Sequence, residues 1–228
     1  MVTPTAPTDA SSVGGGSETP STRGTRSRAG NAMGRGHEAA LRGALAAVEK
    51  YGSRKATMGD IAMLAGIAKA TLYNHFRTRD DVYLAVVAHE VDRVAAAARE
   101  KLPDGLDEAI AEAARLIGEH AAVRKIAVDE PAALAALATP GAGPAWIAAR
   151  TAIASALSDS GYADSPAAVD VVLRYLASQL LAPSTADDRT SAAELLRSAA
   201  AAQSPPAQTE PAEPAPAPDP ADSADTSS

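Results

Sequence analysis

One short stretch, Lys69-Ala70-Thr71-Leu72-Tyr73-Asn74-His75, gathers polar chemistry that the surrounding alanine, valine and leucine lack. An ammonium, a hydroxyl, a phenol, a carboxamide and an imidazole offer donors and acceptors at close spacing. They do not set up a reaction, because no nucleophile stands beside a base. His37, His89 and His120 lack a metal-ligand spacing such as H-E-x-x-H. The adjacent pairs His89-Glu90 and Glu119-His120 point to different faces of a helix. The chemistry is that of recognition. On a helical wheel Ala68, Leu72 and Phe76 share one side at steps of four, while Ala70 and Asn74 lie opposite, flanked by Thr71 and Tyr73. An anchored apolar side with a free polar side suits insertion into a nucleic-acid groove. Asn74 and Thr71 would meet base edges or phosphates, and Ala70 would allow close approach and contact a thymine methyl. Lys69, Tyr73 and His75 would hold phosphates, which set register rather than read sequence.

The elements that must position this helix are legible around it. A first helix is predicted from about His37 to Tyr51, stopped by Gly52. Thr57, with Asp60 three residues on, has the spacing of a capping box for a second helix ending near Ala65. Its hydroxyl and the free N–H groups there would also suit a phosphate. Gly66 can take the left-handed conformation that turns the chain into a third helix, about Ala68 to His75. Two helices joined by so tight a turn form a helix-turn-helix, whose second helix enters the DNA major groove. Thr78 can cap a fourth helix whose first turn carries Asp80 and Asp81. Leu84, Val87, Val91, Val94 and Ala98 predict its buried stripe, and Pro103-Asp104-Gly105 ends it.

Beyond that break, Leu106, Ile110, Ala113 and Ile117 predict another amphipathic helix, and two short helices are parted near Pro131. Further helices follow from Pro144 to about Ser158, Pro166 to about Ala182, and about Asp187 to Ala202. The strand-forming alternation of valine, threonine and tyrosine is missing, so the fold class is all-α. Residues 1–36, Ser/Thr/Pro/Gly-rich with Arg23, Arg26, Arg28 and Arg35, are expected to form a disordered arm. That arm is either a solubilising tail or a minor-groove or phosphate contact. Residues 203–228, with five acids and no base, form a second expected disordered tail. There is no cysteine, hence no disulfide or thiolate metal site, and no cofactor is implied. Without a long apolar run or an apolar leader, a cytoplasmic protein with no membrane partner is expected. Residues 1–83 carry 11 Lys/Arg against 7 Asp/Glu, whereas residues 84–228 carry 10 against 21. Only the front of the chain is therefore suited to a polyanion, despite a net charge of −7.

The stretch "TMGDIAMLAGIAKATLYNHFRTRDDVYLAVV" resembles the DNA-binding domain of the tetracycline-repressor (TetR) family of bacterial regulators, over about residues 37–95. The similarity rests on Asp60-Ile61-Ala62, Ala65-Gly66-Ile67, Thr71-Leu72-Tyr73, His75-Phe76 and the acidic start of the fourth helix. It implies residues 37–83 as the helix-turn-helix domain and residues 84–202 as a helical regulatory and dimerisation domain. It further implies a homodimeric, non-enzymatic repressor of a double-stranded DNA operator, often released by a small-molecule inducer. The segment "GYADSPAAVDVVLRYLASQLLAP" looks like the part that pairs with its copy, and Val169, Val172, Leu173, Leu176 and Leu180 give it a wide apolar face. His120, Trp146, Arg150 and Tyr175 are candidates for lining a ligand pocket. Ala68 departs from the pattern, since a serine or threonine commonly caps the recognition helix there. The alternative is a helical ligand-sensing or protein-interaction module without specific DNA binding.

Overall fold

The structure, a computed structural model, describes residues 23–163 and 165–203, with side chains from Met33 onward. All regular structure among them is helical: α1 (Arg23–Tyr51), α2 (Met58–Ala65), α3 (Lys69–His75), α4 (Arg79–Lys101), α5 (Leu106–Gly118), α6 (Ala121–Asp129), α7 (Pro131–Ala138), α8 (Pro144–Asp159), α9 (Pro166–Leu181) and α10 (Ala186–Ala202). The described part of the chain is thus all-α, as its composition predicts. No helix among the described residues is long and apolar enough to cross a membrane.

α1 begins at Arg23 rather than near His37, so part of the expected arm is helical. No proline interrupts residues 23–36, and each glycine there costs only about 1 kcal/mol relative to alanine. The rest of the arm, and the tail beyond residue 203, lie outside the described residues.

The N-terminal helices close around one core. Ala40, Leu41, Ala44 and Ala47 of α1 pack with Ile61 and Ala62 of α2, Leu72 of α3, Phe76, and Val82 and Val86 of α4. Glycine sets the closest approach. A Cβ on Gly43 would lie 2.5 Å from the Ala65 Cβ and 2.7 Å from the Ile61 carbonyl oxygen. Only a missing side chain lets α1 and α2 cross so tightly.

Caps fix the helix ends. Thr57 accepts from the Asp60 N–H while Asp60 accepts from the Thr57 N–H, a closed capping box, and Thr78 and Asp81 repeat it on α4. Gly66 takes φ 65° and ψ 29°, and the Ile67 N–H returns to the Ala62 carbonyl, closing α2 and turning the chain toward α3. Ala68 occupies the N-cap of α3 with no side-chain hydrogen bond.

α4 runs unbroken through the boundary expected at residues 83/84 and joins the two halves. Its stripe differs from the expected one. Leu84 is 67% exposed, and Val82 and Val86 bury in its place. The first turns of α4 face α1, so the buried side is displaced there from the side that Val87, Val91 and Val94 turn toward the body. Leu106, Ile110, Leu157, Val169, Val172 and Ala193 form a second core from α5, α8, α9 and α10.

A buried carboxylate ties the halves together. Glu130, between α6 and α7, accepts from the Ser53 hydroxyl at 2.6 Å and the Arg54 N–H at 2.9 Å, in the α1–α2 loop. Burial pushes its carboxyl up, but these bonds and the nearby Arg54 charge outweigh it and hold the group below its ordinary range. The Tyr83 hydroxyl and the Arg79 guanidinium donate to carbonyls of the same loop.

Three outcomes follow for stability, each read by urea denaturation. Gly66→Ala costs about 1–2 kcal/mol from the left-handed backbone alone, because a Cβ there meets nothing within 4 Å. Ala68→Ser supplies the missing cap and gains about 0.5–2 kcal/mol. The contribution of Glu130 is full above the ordinary carboxyl value of 4.5 and is lost as pH falls through its lower folded value. Glu130→Gln therefore destabilises at neutral pH and flattens this part of the acid-induced decline.

Candidate nucleic-acid interface

α3 presents two sides of opposite character. Leu72 is fully buried and Phe76 is 6% exposed, held among α1, α2 and α4. Lys69, Ala70, Tyr73 and Asn74 are exposed, and Thr71 is half-buried beside them. The Lys69 ammonium stands 6.0 Å from the Tyr73 ring centroid, so charge and ring are presented together. The wheel drawn from the sequence matches the burial of Leu72 and Phe76 and the exposure of Ala70 and Asn74, whereas Ala68, placed on the apolar side, is exposed ahead of the first turn.

Two predicted phosphate ligands are placed differently. The His75 ring packs back on α1, 5.9 Å from the ring centroid of His37 and close against Gly36. It stands half-buried at the end of the helix next to Phe76, with α1 beside it. The Thr57 hydroxyl is engaged with Asp60, donating to its carboxylate at 2.6 Å while accepting its N–H. That hydrogen bond, with the Thr57 N–H, holds the Asp60 carboxyl below its ordinary range and leaves an anion at the start of α2. The first-turn N–H groups of Met58 and Gly59 remain the anion-facing feature of that end. Exposed Lys55 and Arg77, next to α2 and α3 in the chain, add cations that the motif-based reading passed over. Their signal was simply charge flanking the motif. Of the arm residues, Arg35 is exposed, whereas the side chains of Arg23, Arg26 and Arg28 lie outside the described residues.

Beside this domain lies a half-open cavity of about 400 Å³, lined by α1 and by helices α4 to α9. Its wall is chiefly valine, leucine, isoleucine and alanine. Two of the four predicted pocket residues, His120 and Trp146, line it. Arg150 does not, because its guanidinium bonds Asp170 of α9 at 3.3 Å, a carboxylate also held by Arg174. Tyr175 packs instead on the core of α5, α8, α9 and α10, where burial raises its phenol.

The residue missed from sequence is Glu90. It lines the cavity on the same side of α4 as Val87, Val91 and Val94, and its Oε2 meets the His120 Nε2 at 3.2 Å and the Arg93 Nε at 2.7 Å. Burial opposes its charge, but these hydrogen bonds prevail and lower its carboxyl to about 2. A lone acid inside an apolar stripe was the available signal. α6 carries His120 at its N-terminal cap and leads to Glu130 just past its other end. It thus runs from the cavity to the α1–α2 loop.

The dimer face expected from Val169, Val172 and Leu173 is intrachain core instead, with Leu176 packed against it and Leu180 on the cavity. The outer sides of α9 and α10 expose Val171, Leu181 and Leu195, at 48, 54 and 72%.

Residues 40–86 match the family described as bacterial regulatory proteins, tetR family. No curated protein matches the chain. Among solved structures, the TetR family repressor AlkX from Dietzia sp. strain DQ12-45-1b, implicated in biodegradation of n-alkanes, superposes with a TM-score of 0.59 at 22% identity. That match covers 73% of this chain and 95% of AlkX. The fatty acid degradation regulator FadR from Bacillus halodurans superposes with a TM-score of 0.51 at 17% identity, covering 71% of this chain and 92% of that one. These likenesses establish the fold. The matched N-terminal segment, which carries the outward polar helix, is thus similar to the bacterial regulatory proteins of the tetR family, and the whole helical body shares its fold with regulators of that kind.

Proposed function

We propose that this regulator is a homodimeric, sequence-specific repressor whose hold on its operator is set by a ligand in the central cavity. The observation that carries the reading is α3, with Leu72 and Phe76 buried and Tyr73 and Asn74 free. Asn74 and Thr71 are assigned to base edges and Ala70 to close approach. Lys69 and Tyr73 are assigned to phosphates, with Lys55 and Arg77 flanking them. His75 acts on DNA only indirectly, by seating α3 on α1. The N–H groups at the start of α2 hold a phosphate next to Thr57.

Operator recognition by paired recognition helices needs two copies, about 34 Å apart. The exposed Val171, Leu181 and Leu195 on α9 and α10 supply an apolar surface for that pairing. Occupation of the cavity would act through α4, which lines it and enters the N-terminal core, and through α6, whose far end leads to the Glu130 strap on the α1–α2 loop. A ligand that favours one separation of the two recognition helices shifts operator affinity by its preference between the states.

The uncapped Ala68 supports a second reading, a ligand-sensing module with no specific DNA site. Salt separates the two, because phosphate contacts make affinity fall steeply as salt rises.

The test uses the duplex upstream of the protein's own gene. Asn74→Ala is expected to weaken binding by about tenfold or more, in line with the roughly 1–3 kcal/mol of a base contact, and Tyr73→Ala, which removes a phosphate contact, to weaken it on every sequence alike. If neither does, the assigned face is wrong. Val171→Asp combined with Leu195→Asp is expected to yield monomers in sedimentation and to abolish operator binding while the helical content is kept.

A further inference from the structure

The wall of the cavity restricts what can occupy it; this deepens the ligand-responsive reading and rests on it. Charged side chains lining the cavity are few. Arg99 is 58% exposed and lies 3.9 Å from Asp159, so its head sits at the rim in an ion pair. Glu90 is inside, with its side chain 17% exposed. Its hydrogen bonds from Arg93 and His120 both end on Oε2, which leaves Oε1 as an acceptor with no partner among the described residues. Arg93 is engaged by Glu90 and does not line the cavity, so no unengaged cation faces it.

We propose that the cavity takes an uncharged, hydrocarbon-rich ligand with one hydroxyl-type donor directed at Glu90, and that it rejects the corresponding carboxylate. The apolar wall rewards hydrocarbon burial. A hydroxyl donates to Oε1 the hydrogen bond it lacks, and a donor bonded to an ionised acceptor makes a strong hydrogen bond. A carboxylate head directed at Glu90 would be stripped of water beside a fixed anion, where no unengaged cation stands to receive it.

Trp146 is the only tryptophan in the chain and lines the cavity, so its fluorescence reports occupancy directly. The full-length protein is titrated at neutral pH with 1-octanol, with octanoate below its micelle concentration, and with an ether of equal length that lacks the donor. Saturable octanol binding is expected, with octanoate and the ether each weaker by about tenfold or more. Glu90→Gln is expected to narrow the octanol–octanoate gap, since it removes the fixed charge while keeping a group able to bond His120. Ala152→Phe, which fills the cavity from α8, is expected to abolish the octanol response. The proposal is overturned by octanoate binding as tightly as octanol, by absence of saturable octanol binding, or by an octanol response that survives Ala152→Phe. Operator release is measured separately. Octanol that binds without changing DNA affinity would sink the ligand-responsive reading and leave this ligand class standing.

Discussion

A helix of seven residues without a side-chain cap has little stability of its own, because nucleating a helix fixes several residues before its hydrogen bonds accumulate. Everything proposed for DNA recognition depends on what holds α3 in place. Two side chains do most of this. Leu72 inserts fully into the core of α1, α2 and α4, and Phe76 closes the end of the helix against His37, 5.0 Å between ring centroids. Apolar burial is non-directional, so the geometry comes from the neighbours. The left-handed turn at Gly66 sets the angle of departure from α2, and the tight α1–α2 crossing at Gly43 sets the floor beneath. With one side so constrained, the polar residues on the other can face solvent without cost.

The same helix that completes this core leads out of it. The early turns of α4 bury Val82 and Val86 among the N-terminal helices, and its later turns supply Val87, Val91 and Val94 to the cavity wall. α6 adds a polar connection, with His120 beside Glu90 near one end and Glu130 beside Ser53 and Arg54 at the other. Both carboxylates are held ionised against burial by the donors around them. A buried charge that has partners is costly to separate from them, so these two sites resist movement and transmit it together. On the proposed reading, a molecule bound in the apolar cavity that α4 and α6 line would act on the recognition helix through these two helices.

Local chemistry was readable in the chain itself. Both capping boxes, the Gly66 turn, the break at Pro103-Asp104-Gly105 and the split at Pro131 depend on groups within a few residues of one another, and the observed ends agree with them. The two sides of α3 were readable for the same reason, since a period of 3.6 residues assigns Leu72 and Phe76 to one side and Asn74 to the other.

Partners across the fold were not readable, because periodicity names a face without naming what covers it. Leu84 belongs to an apolar stripe yet lies in solvent, whereas Val169, Val172 and Leu173 fill their own chain's core. His75 turned to α1, Arg150 to Asp170, and Glu90 to His120, each choosing a neighbour distant in sequence. Those choices follow from how α1, α4, α6 and α9 are stacked, which no short window of residues encodes. The chain by itself therefore determined the helix ends that local caps and breaks mark, though not the start of α1, and which side of α3 is polar. Only tertiary packing decided which apolar faces meet, where the cavity opens and which carboxylate guards it, because those outcomes depend on competition among surfaces brought together from the whole length of the chain.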